Sequence, residues 1–133
     1  MTMIRSFHMI IIFLGVCQLI TSAPNINVKF ALCNSRVISK NGPFQKSLTY
    51  VLDDLQSMTP SKETYDLRNI SPYPTSFAYG RAVCTADNLT TSDCNACLGA
   101  AKSVLLSTCG GRAGGRAVLG DCQMRYEQYP YDD

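Results

Sequence analysis

Ser92-Asp93-Cys94-Asn95-Ala96-Cys97-Leu98, followed by Ala101, Val104, Leu105 and Thr108, is the stretch that decides the fold. Cys94, Cys97, Leu98, Ala101, Val104, Leu105 and Thr108 recur at i, i+3, i+4, i+7 and onward, one buried stripe of an amphipathic helix. Ser92 or Asp93 is positioned to cap its start, and Gly110-Gly111 ends it. Cys94 and Cys97 share that stripe, so each can reach a different neighbouring element.

Outward from this helix the pattern changes period. Asn25 to Cys33 sets Ile26, Val28, Phe30 and Leu32 on one side and Asn27, Lys29 and Ala31 on the other, the alternation of a half-buried strand. Asn41-Gly42-Pro43 breaks it, with Asn41 as cap and Pro43 in the first turn of a second helix. Phe44, Leu48, Val51, Leu52 and Leu55 then predict a helix over 43–58, with Lys46, Asp53 and Asp54 on its wet face and Thr59-Pro60 as its stop. Short strands are expected over 65–70, 75–84, 116–122 and 123–128. Ser71-Pro72-Tyr73-Pro74 and Gly114-Gly115 read as turns. Strands outnumber helices without regular alternation, which predicts an α+β domain: an antiparallel sheet of about five strands with two helices packed on it.

The first 23 residues read as a secretory signal peptide: Arg5, an apolar run from Met9 to Val16, and Thr21-Ser22-Ala23 at the cut. The run is too short to span a bilayer, which takes about 20 apolar residues. Residues 24–133 then form one domain with no membrane span, secreted into the extracellular space, the apoplast or cell wall. Cys17 leaves with the leader, and six cysteines remain: Cys33, Cys84, Cys94, Cys97, Cys109 and Cys122. An even number in a short exported chain reads as three disulfides, and spacing alone leaves 15 pairings open. A Cys94–Cys97 redox pair is the weaker reading, because four other cysteines wait for partners.

Composition excludes several functions. His8 is the only histidine and lies in the leader, so the mature chain has no His-based nucleophile pair and no His-ligated metal. No Walker loop and no GxGxxG occurs. An enzyme is not expected, and neither is a metal or other cofactor. Twelve Lys and Arg against ten Asp and Glu, with Arg5 in the leader, leave a net charge near +1 and no basic run for nucleic acid. Asn88-Leu89-Thr90 and Asn69-Ile70-Ser71 are glycosylation sequons, the second weakened by Pro72.

The cysteine spacing, with Ala31-Leu32-Cys33-Asn34, Pro43-Phe44, Ala78-Tyr79-Gly80-Arg81-Ala82 and Asp121-Cys122 through Tyr126-Glu127-Gln128, resembles the plant ginkbilobin-like cysteine-rich domain. The same module forms the ectodomains of cysteine-rich receptor-like kinases. Here nine residues, Thr85 to Asp93, separate two cysteines that the family usually separates by eight; a longer surface loop accommodates the difference cheaply. The resemblance implies the pairs Cys33–Cys109, Cys84–Cys94 and Cys97–Cys122. It also implies a mannose site at Asn34, Arg116 and Glu127, the Asn, Arg and Glu at the family's binding positions. Arg offers a rigid fork of donors, Glu accepts, and Asn does both, which suits vicinal hydroxyls. The expected function is a secreted, monomeric antifungal defence lectin for mannose or mannan-type glycans. The alternative is a protein-interaction module of the same fold with a vestigial sugar site.

Overall fold

The computed structural model describes residues 23–132. The signal peptide expected over residues 1–23, with His8 and Cys17, lies outside the described residues save for Ala23. Five strands and two helices follow one another as β1 (Val28–Cys33), α1 (Pro43–Met58), β2 (Asp66–Ile70), β3 (Tyr79–Cys84), α2 (Thr91–Cys109), β4 (Gly115–Leu119) and β5 (Cys122–Glu127). All pairings are antiparallel, in the order β1-β4-β5-β3-β2.

Both helices cover one face of this sheet. α1 contributes Phe44, Leu48, Val51, Leu52 and Leu55 to the core, and α2 contributes Cys94, Cys97, Leu98, Ala101, Leu105 and Cys109. The sheet answers with small residues, Ala82 and Ala117, and with Met124 and Tyr126. At Gly80 the helix comes so close that a Cβ would stand 2.8 Å from Leu55 Cδ1, which explains why β3 alternates Gly and Ala on its inner side. Disulfides join Cys33 to Cys109, Cys84 to Cys94 and Cys97 to Cys122. These are the pairs the family resemblance implies. Cys94 and Cys97 therefore tie α2 to two different strands and do not pair with each other.

Several expectations change in detail. Thr90 rather than Ser92 or Asp93 caps α2: its hydroxyl accepts from Asp93 N at 3.0 Å, and the helix begins at Thr91. Gly42 occupies the N-cap of α1 without a side-chain cap, because Pro43 takes the first helical position and displaces Asn41 by one. Thr108 is exposed and Cys109 takes its place in the buried stripe. The strand expected over 75–84 starts only at Tyr79; residues 71–78 close a loop instead, with Ser71 N donating to Ala78 O and Ala78 N to Ser71 Oγ. The strand expected over 116–122 turns at Gly120-Asp121, so Cys122 opens β5.

The largest surprise is β1. Its large apolar residues are exposed, Val28 at 51%, Phe30 at 44% and Leu32 at 63%, with a register shift between Val28 and Phe30 that breaks the alternation. Ala31 and Cys33 face α2 instead. β1 is an edge strand, and the Cys33–Cys109 staple on its other face fixes which side turns inward.

Candidate functional site

The three residues singled out in the sequence converge at one end of the outer sheet face, where β1, β4 and β5 finish or start. Cys33 is stapled to Cys109, which holds the next residue, Asn34, beside the turn before β4. Asn34 N donates to Gly114 O at 2.8 Å. Its side chain is fixed at both ends: Oδ1 accepts from Arg36 N at 2.9 Å, and Nδ2 donates to Glu127 Oε2 at 3.3 Å. The first is the local turn that Asn favours; the second crosses from one element to another. Arg112 adds a brace by donating from Nη1 to Asn34 O at 3.2 Å and Ser35 O at 3.4 Å. No role for Arg112 is legible in the sequence, and the structure gives it this one.

Glu127 is a carboxylate at only 7% exposure, and burial of a charge needs partners. Asn34 is one, and Arg125, with Nη2 3.5 Å from Glu127 Oε1, is another. The carboxylate lies across Gly114. A Cβ there would collide with Glu127 Oε2, so Gly114 serves the site by having no side chain. No described glycine takes a positive φ; close approach, and not backbone freedom, demands glycine here. Beneath, the Tyr126 hydroxyl donates toward Cys109 O at 2.7 Å and Arg112 O at 3.1 Å, pinning the turn from the core side. Burial first, and the charge of Glu127 second, push its pKa up to about 12.

Arg116 stands on β4 between Leu32 of β1 and Arg125 of β5. Its Nη2 donates to Gln123 Oε1 at 2.9 Å. The Arg125 guanidinium meets Glu127 from the neighbouring strand position, and nothing in the sequence alone marks Arg125. The strand register that places it there is set across three strands and leaves no local mark. Leu32, Cys33, Asn34, Gly115, Arg116, Arg125 and Glu127 together line a cavity of about 320 Å³. That volume suits a single sugar ring, with donors from Arg116, Arg125 and Asn34, an acceptor in Glu127, and Leu32 offering an apolar surface to ring C–H groups. A second cavity, of about 380 Å³, lies on the other side of Asn34 against Arg36, Phe77 and Tyr129.

The two sequons differ. Asn88 is exposed in the lengthened loop, in a left-handed conformation (φ 60°). Asn69 is half-buried. Its side chain faces α1, where Nδ2 donates to Val51 O at 3.1 Å and Asp54 Oδ2 at 2.9 Å. That nitrogen is engaged with the helix, whereas the Asn88 side chain is exposed. Among the described residues no cluster of three or more acidic, histidine or cysteine side chains could hold a metal ion.

Three staples, a helix-backed antiparallel sheet and a polar cavity at the sheet's end define a small extracellular cysteine-rich domain. The chain belongs to the salt stress response/antifungal family, whose model matches residues 32–129. It is 31% identical over 129 residues to antifungal protein ginkbilobin-2 of Ginkgo biloba, covering 96% of each chain. It is 35% identical over 108 residues to antifungal protein ginkbilobin-like protein 1 of Picea sitchensis, covering 80% of each. In fold it is similar to the tandem DUF26 ectodomain of the Arabidopsis thaliana cysteine-rich receptor-like protein PDLP5, with a TM-score of 0.70 at 21% identity. The match covers 78% of this chain and 51% of that one, so the chain spans about half the ectodomain's length.

Proposed function

We propose that the protein is a secreted antifungal defence lectin that binds mannose-type glycans of fungal cell walls as a monomer, without catalysis. The observation that carries the reading is the Asn34–Glu127 hydrogen bond, which joins two residues 93 positions apart in the cavity that Arg116 also lines. A carboxylate buried to this degree and held by an amide and a guanidinium is preorganised. A hexose with vicinal hydroxyls can donate to Glu127 and accept from Arg116 and Arg125 without reorganising them. The names of the ginkbilobin relatives supply the antifungal half of the proposal.

A second reading has its own support. Phe30 and Leu32 expose neighbouring apolar side chains on one face of the edge strand, and contiguous apolar surface marks protein contact. In that reading the domain docks on another protein. A glycan array of the oxidised protein separates the two. Selective signal on mannose-terminated glycans, lost in Glu127→Ala, supports the lectin. Silence on every glycan with the fold intact refutes it.

A further inference from the structure

Asn34 is the wall between two cavities. On one side lies the cavity lined by Arg116 and Glu127, and on the other the cavity of about 380 Å³. The same three segments of chain line both. Asn34 gives way to Arg36, Gly115 to Ala113, and Glu127 to Gln128 and Tyr129. β1 and β5 each run antiparallel to β4, so all three steps lead off the same end of the sheet. At about 3.3 Å per extended residue, a step of one or two residues is about the length of one pyranose ring. The Asn34 amide serves both sides: Nδ2 donates to Glu127 Oε2, and Oδ1 accepts from Arg36 N. Further out, a third cavity of about 250 Å³ shares Arg36, Ser76 and Gln128 with the second, so the groove continues instead of closing.

The second cavity has its own chemistry. Phe77 and Tyr129 line it beside Arg36 and Gln128, and these two aromatic side chains are 37% and 50% exposed. A large aromatic that stays in water and is held still offers a ready surface to a ligand. Phe77 is held in this way. Its loop is closed by Ser71 N donating to Ala78 O and Ala78 N to Ser71 Oγ. The hydroxyl of Ser47, buried on α1, donates to Ser76 O. The Phe77 ring meets the Tyr79 ring edge to face, with centroids 6.4 Å apart.

We propose that this second cavity is a subsite for the next sugar of a mannose-type oligosaccharide, so that the groove takes a linear chain and not a single ring. The subsite rests on the mannose reading of the first cavity and adds length to it. A pyranose has an apolar face of C–H groups and a rim of hydroxyls. Phe77 and Tyr129 suit the face, while Arg36 offers donors and Gln128 both donates and accepts at the rim. The continuation past Gln128 gives a longer chain somewhere to go.

Calorimetric titration of the oxidised protein with mannose, a mannobiose and a mannotriose tests the subsite. Both oligosaccharides should bind about tenfold or more tighter than mannose, the worth of one further aromatic-lined contact. Phe77→Ala with Tyr129→Ala should abolish that advantage and leave mannose affinity as in wild type. Should the double variant melt early, Tyr129→Ala alone, at an exposed position outside the strands, should still cut the advantage about threefold. Equal affinity per ring for the three sugars, or an undiminished advantage in Tyr129→Ala, overturns the subsite; mannose binding that is lost in Glu127→Ala then still upholds the first cavity. Oligosaccharide binding lost in Phe77→Ala with Tyr129→Ala, yet untouched by Glu127→Ala, supports the second cavity while the reading of the first fails. Absence of binding for all three sugars overturns both.

Discussion

Gly114→Ala isolates the geometry of the cavity from its chemistry. The added Cβ would occupy the place of the Glu127 carboxylate. Glu127 is the mobile partner of the collision, because its side chain can swing outward while Gly114 is anchored through its carbonyl to Asn34 N. The carboxylate should therefore leave Asn34, now 3.3 Å away, and Arg125, 3.5 Å away. Stability should fall by about 1–3 kcal/mol, one hydrogen bond to a carboxylate and one ion pair, partly recovered as the carboxylate reaches water, with the protein still folded. Mannose binding should fall as well. Losing a charge-assisted hydrogen bond to the ligand costs about 1.5–3 kcal/mol, roughly a tenfold to hundredfold loss of affinity. Calorimetric titration with a mannose oligosaccharide, beside a melting curve, reads both. Wild-type affinity in Gly114→Ala would refute the claim that Glu127, held across Gly114, contacts the sugar.

Further outcomes follow from the same contacts. Asn34→Ala, Arg116→Ala and Glu127→Ala should each lose detectable mannose binding while melting as folded proteins, and growth inhibition of a fungus should fall in step. The Arg81 guanidinium hydrogen-bonded to Asp66 holds its carboxyl below the usual carboxylate range. That pair's stabilisation is complete above the ordinary value near 3.8 and is lost as pH falls through the lowered one, so Asp66→Asn should flatten the acid side of a melting-temperature profile. Tyr126 acts in the opposite sense. With its hydroxyl pushed up to about 12, the folded state holds its proton where the unfolded chain releases it, so stability should decline between pH 10 and 12, and Tyr126→Phe should lessen that decline. Enzymatic mapping of plant-expressed protein should find glycan on Asn88 and none on Asn69.

Much of this fold is legible in the sequence because the signals are local. Pro43 and the Phe44-to-Leu55 spacing fix α1, and the cysteine stripe fixes α2. The hairpin at Gly120-Asp121 is missed because Val118 and Cys122 share one parity and let a strand alternation run straight through it. What marks the turn lies far away: Asp121 Oδ2 accepts from Asn25 N at 2.6 Å, and Gly120 N donates to Asn27 O at 3.0 Å. The orientation of β1 is illegible for a similar reason, since period two gives two faces and only the Cys33–Cys109 staple says which is inward. At the site, Asn34, Arg116 and Glu127 come from family resemblance, and all three line one cavity. Arg125, Gly114 and the brace from Arg112 depend on register and on close approach between distant segments, for which no spacing within the chain stands as a sign.

Amide chemical-shift mapping of the oxidised, isotope-labelled protein during titration with mannose shows whether the sugar sits among Asn34, Arg116 and Glu127. Saturable shifts are expected at Leu32 to Asn34, Gly114 to Arg116 and Arg125 to Glu127, with Phe77 and Tyr129 in the neighbouring cavity and Arg68 on the far strand left in place. Saturable shifts centred on Phe77 and Tyr129, or none anywhere, would contradict that placement.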